Sequence, residues 1–68
     1  METKALQPHQ ERVVTEKKEL DEKLEKLQSF FKSPTFFNVH SAEQSRLRIQ
    51  YSIMEAYSTV LGERISQF

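Results

Sequence analysis

Val13–Leu27 reads VVTEKKELDEKLEKL, and the fold turns on how this stretch is phased. Positions 13, 17, 20, 24, 27 and 31 step by four, three, four, three and four, the spacing of a narrow heptad seam that packs against one partner helix. Every member of that seam is apolar except Lys17. A lysine there either fixes register against a carboxylate, as a lone polar core residue does in coiled coils, or points at a place shaped for phosphate. On the outward side, Glu19 to Lys23 and Glu22 to Lys26 stand in the favourable i,i+4 order, each pair worth roughly 0.2–0.5 kcal/mol.

Working outward, Pro8 suits the first helical turn, where its missing N–H costs nothing. Ser33-Pro34 ends the helix, because the residue before a proline is pushed out of the helical region. A helix over about 8–32 follows, preceded by a frayed N-terminus at residues 1–7 in which Leu6 is able to fold back. Ser33 as N-cap and Pro34 at the first position start a short turn carrying Phe36 and Phe37. With Phe30 and Phe31 these rings form a plug at a hairpin bend rather than a ligand cage, since aromatic burial is the largest apolar contribution available. Ser41-Ala42-Glu43-Gln44 has the form of a capping box, which places a second helix at about 42–66. Both helices are ~36–39 Å long at ~1.5 Å per residue. The fold class is therefore all-α: one domain over residues 8–68, built as an antiparallel two-helix hairpin.

The second helix has more apolar surface than one partner covers. On a helical wheel, Leu47, Met54, Leu61, Ile65 and Phe68 form one stripe, and Ile49, Ile53, Ala56 and Val60 form another. The first helix offers a single narrow seam, so one stripe stays free, and the spacing does not say which. The free face predicts a homo-oligomer, with Ile49, Ile53, Ala56 and Val60 as its interface. Between the stripes lie Arg46, Gln50, Tyr57 and Arg64, and Gln50 and Arg64 read as polar breaks matching Lys17. The arginines either pair with carboxylates of a neighbouring copy or hold a small anion, arginine forks suiting phosphate and a ring suiting a base. Gly62 costs about 1 kcal/mol relative to alanine within a helix. It is either tolerated at the surface or answers a close approach by a backbone or ligand.

Composition narrows the function. In 68 residues there is no cysteine, and ten Lys+Arg balance ten Asp+Glu. A short chain buries only about 60% of its unfolded surface. With disulfides and thiolate zinc sites excluded and two histidines far apart in sequence, self-association is the remaining source of stability. The interleaved charges provide no basic stripe for duplex nucleic acid. No apolar run approaches a membrane span and no signal-peptide pattern is present, so the expectation is a soluble cytoplasmic protein. No nucleophile–base pair, glycine-rich phosphate loop or metal motif appears, so the reading is a non-enzyme without metal or cofactor.

The segments PHQERVVTEKKELDEKLEKL and EQSRLRIQYSIMEAYSTVLGERI resemble the small helical-hairpin proteins of tailed bacteriophages and prophages. The layout is similar to the hairpin domain of phage anti-CBASS and anti-Thoeris sponges over roughly residues 8–66, with a Lys18-Glu19-Leu20 step and an Ile53-Met54 step in common. That resemblance implies a multimer, acting in the host cytoplasm, that sequesters a cyclic oligonucleotide or cyclic ADP-ribose immune signal at subunit interfaces without cleaving it. Lys18 matches the family's pocket lysine. The family's stacking aromatic is replaced here by His9 and Gln10, leaving His9 or Tyr57 to face a base and Lys17, Lys18, Arg46 and Arg64 to face phosphate. The alternative classes are a phage inhibitor or regulator that lays the Ile49–Val60 stripe against a host protein, and a structural accessory.

Overall fold

Gln7 and Pro8 begin the first helix. Gln10 turns its side-chain carbonyl back to accept the Gln7 N–H at 2.8 Å, which satisfies a donor the first turn leaves without an intrahelical partner. The computed structural model describes residues 5–68. Three helices follow in order: α1 at Pro8–Phe31, α2 at Pro34–Phe37 and α3 at Ser41–Ser66. Of the stretch expected to fray, residues 1–4 lie outside the described ones, and Ala5–Gln7 precede α1 without regular structure.

α1 and α3 pack antiparallel along their length, so the described architecture is the all-helical hairpin. It forms a rod with extents of 53 × 17 × 17 Å. The α1 seam meets the Leu47–Phe68 stripe. Val13, Leu20 and Leu61 are buried, and Leu24, Met54, Ile65 and Phe68 pack against them. Leu61 is completely enclosed, a burial worth about 1.5–3 kcal/mol. The α3 positions turned toward α1 are 47, 51, 54, 58, 61, 65 and 68, all buried or half-buried. They step by four and three throughout. The polar breaks in this seam are thus Ser58 and the Tyr51 hydroxyl, correcting Gln50 and Arg64, which are both exposed.

The bend is closed by aromatic rings. Phe36, fully enclosed, meets Phe30, Phe31 and Phe37 edge-on at centroid distances of 5.7, 5.0 and 5.8 Å. Phe31 in turn meets Tyr51 of α3 at 5.5 Å. The plug therefore ties all three helices together. Phe37 lies at its rim, 68% exposed.

Two local expectations give way. Ser33 is the N-cap residue of α2, but its hydroxyl donates to the Phe30 carbonyl at 2.7 Å instead of capping. At α3 the capping box on Ser41 is not formed, because the helix starts one residue earlier. His40 is the N-cap, its Nδ1 accepting from the Ala42 N–H at 3.2 Å, and the Gln44 amide donates to the Val39 carbonyl at 2.8 Å. On the α1 surface the Glu19–Lys23 and Glu22–Lys26 pairs stay open. Among the described residues the ion pairs are Lys17–Asp21 and Arg46–Glu43.

Candidate functional site

The break in the α1 seam has a partner across the hairpin. Lys17 reaches over α3, where its Nζ donates to the Ser58 hydroxyl at 2.7 Å and the Ser58 carbonyl at 3.3 Å. It also donates to Oδ2 of Asp21, one turn along α1, at 3.1 Å. The Ser58 hydroxyl closes the triangle by donating to the other Asp21 oxygen. An ammonium has three donors, and here all three are used. Gly62, one turn beyond Ser58, leaves room for the lysine stem: a methyl group there would lie 3.5 Å from Lys17 Cε.

Within one protomer this geometry favours the register-fixing reading of Lys17. It faces a carboxylate and a hydroxyl and has no donor left for phosphate. The hydrogen bond from Ser58, with a second from Lys17, holds the Asp21 carboxyl below its ordinary range. Chemically the cluster is an anchor. The serine is buried in the seam and its proton already faces Asp21 while the lysine donates to it, so nothing here generates a nucleophile at a water-excluding cleft. The sequence reading has a carboxylate facing Lys17 but misses Ser58. The signal that finds Ser58 is the unbroken four-three stepping from Leu47 to Phe68.

The remaining candidate contacts all lie on the surface, and no single hollow of the protomer gathers them. His9 is exposed in the first turn of α1, and Lys18 is exposed beside Lys17. Arg46 is bonded through Nε to Glu43 at 2.7 Å. Arg64 is exposed in the last turn of α3. Arg46 and Arg64 stand ~27 Å apart along α3 at ~1.5 Å per residue, so one small ligand cannot span both on a single copy. Among the described residues no three His, Asp or Glu side chains gather as a metal site. No described helix is long and apolar enough to cross a membrane.

What the protomer leaves open is the second face of α3. Ile49, Ile53 and Val60 are 60%, 64% and 52% exposed, with Ala56 exposed between them and Tyr57 beside them at 43%. These aliphatic residues repeat at helical spacing and form one exposed apolar face.

No curated protein and no solved structure matches the chain. A family model does match: Sequestin, over residues 7–67, a span that takes in all three helices. The chain belongs to the Sequestin family.

Proposed function

We propose that the protein is a phage-encoded, non-enzymatic sponge. Copies associate through the Ile49, Ile53, Ala56 and Val60 face of α3 and hold a nucleotide-derived host immune signal, of the cyclic oligonucleotide or cyclic ADP-ribose type, between subunits. The observation that carries this reading is the uncovered apolar face of α3, bordered by Tyr57 and by Arg46 and Arg64 at its two ends. The family name is consistent with sequestering a molecule. An antiparallel pairing of two α3 helices about a point between Ile53 and Ala56 sets Ile49 over Val60 of the partner subunit and Arg46 opposite the partner's Glu63. That pairing brings Arg46 and the partner's Arg64 to the same end of the joint, which a lone protomer does not do. Lys18, His9, Tyr57 and the two arginines are the ligand contacts in this reading, and Lys17 acts by fixing the hairpin that presents them.

Light scattering and a thermal-shift panel test the proposal together. The expected outcome is an oligomer at micromolar concentration whose Tm rises by mass action with a cyclic di- or trinucleotide or a cyclic ADP-ribose isomer, the ligand being recovered intact after heat denaturation. A monomer, or an oligomer that no member of the panel shifts or binds by calorimetry, overturns it. A monomer that instead captures one host protein through Ile53 and Val60 supports the inhibitor or regulator class.

A further inference from the structure

Three shallow hollows among the described residues differ in charge. One, along the start of α1, is walled by Glu11, Glu16 and Glu19 with a single arginine, and a second by Glu22 and Glu25 with a single lysine. Both repel anions. The third lies at the closed end of the hairpin, between the end of α1 and the first half of α3. Gln28, Phe31, Lys32, Arg48, Tyr51 and Ser52 line it, and no carboxylate does.

Its two cations are uncompensated: neither Lys32 nor Arg48 enters an ion pair among the described residues. Arg48 is also held in place. Its guanidinium carbon lies 5.2 Å from the Phe31 ring centre and 5.1 Å from that of Phe36, so the aromatic plug anchors the cation, and its N–H donors suit an anion. Tyr51, half-buried against Phe31, supplies a ring beside the charges, and Gln28 and Ser52 supply neutral hydrogen-bonding groups. The volume, about 350 Å³, stands at the small end of the roughly 300–1,000 Å³ spanned by ligand pockets.

We propose that this hollow is a binding site for a mononucleotide-sized phosphate ester, with Lys32 and Arg48 on the phosphate and Tyr51 against the planar base. The site is complete in one protomer, so it goes beyond the interface pockets proposed above and does not depend on them.

Calorimetry on the full chain tests it, with AMP as the probe and adenosine and inorganic phosphate as its two halves. AMP binds, and each half binds at least about tenfold more weakly, because charge-assisted contacts and stacking are then no longer combined. Lys32→Ala weakens AMP by about tenfold without lowering Tm, a readout that separates ligand contact from support of the plug. Tyr51→Leu weakens AMP but leaves phosphate unchanged. Ile53→Glu, which breaks the α3 face, leaves AMP binding intact. The proposal is overturned by absence of AMP binding, by an unchanged affinity in Lys32→Ala, by phosphate alone matching AMP, or by loss of AMP binding in Ile53→Glu. A monomer in light scattering that still binds AMP refutes the interface sponge and leaves this site standing.

Discussion

α3 carries two rows of aliphatic side chains, and the hairpin treats them oppositely. Leu61 is fully enclosed, whereas Ile53, two turns earlier and no less apolar, is 64% exposed. The row that faces α1 is the one that also answers the lysine opposite. Packing Ile53, Ala56 and Val60 against α1 would leave the Lys17 ammonium with Asp21 of its own helix but without the two acceptors it finds on α3, and hydrogen bonds to a charged group are worth about 1.5–3 kcal/mol. The row that wins contains Ser58, whose hydroxyl and carbonyl both receive the lysine. A polar pairing thus accompanies the apolar face that becomes core, while the other face stays exposed.

The largest expected effect sets the two rows directly against each other. Leu61→Ala loses about 2–5 kcal/mol, much of the total for a domain of this size, and unfolds early in a urea titration. Ile53→Ala, measured at concentrations low enough for single copies, stays within about 0.5 kcal/mol of the parent. Equal losses at the two positions would mean that the rows are not inside and outside.

A smaller effect sharpens the reason for the choice. Ser58→Ala removes the hydroxyl that accepts from Lys17 and donates to Asp21, a loss of about 1–3 kcal/mol at neutral pH. The same contact has a pH signature. Asp21 is held below the ordinary aspartate value of about 3.9 by Ser58 and Lys17, so its contribution is complete above that value and is lost as the pH falls through the folded one. In urea melts the gap between the parent and Asp21→Asn should narrow below about pH 4; a gap that is constant from pH 6 to pH 3 would remove the carboxylate from the account.

The smallest effect has the opposite sign. Gly62→Ala puts a methyl group in ordinary contact with the Lys17 stem, 3.5 Å from Cε, and gains up to about 1 kcal/mol of helix propensity. A rise in Tm of a few degrees is expected. A fall would show that Lys17 has no room to yield.

Much of this fold is written in spacing. The α1 seam, the bend rings and the two rows of α3 all follow from intervals between apolar residues, which survive folding, and the stop at Ser33-Pro34 follows from the proline. Partner identities do not read out in the same way. Ser58 is a small polar residue whose role exists only once Lys17 and Asp21 are brought beside it, and Gln50 and Arg64 were more conspicuous as polar breaks. His40 displaced Ser41 as the cap because a ring nitrogen can accept a backbone N–H as a hydroxyl does. The Lys32, Arg48 and Tyr51 grouping comes from two elements that the bend separates in sequence, although Gln28, Phe31 and Lys32 already share one side of the end of α1 at helical spacing.

The antiparallel arrangement also sets an order of assembly. Phe31 and Tyr51 touch across a loop of about twenty residues, while Val13 and Ile65 enclose about fifty, and shorter loops cost less entropy to close. Zipping from the aromatic bend outward is therefore the cheapest path, with most contacts nested inside earlier ones, a low-contact-order topology that folds fast. The Lys17–Ser58 clasp falls beyond the midpoint, toward the open end of the hairpin. Amide exchange at the middle of α3, around Met54, should accordingly be slower than near Ile65, with Ser58→Ala speeding the latter most; uniform exchange along α3 would point to all-or-none opening. A charged contact late in the zipper acts as a brake on fraying, and it holds the free ends, which carry His9 and Arg64, in a fixed relation to each other.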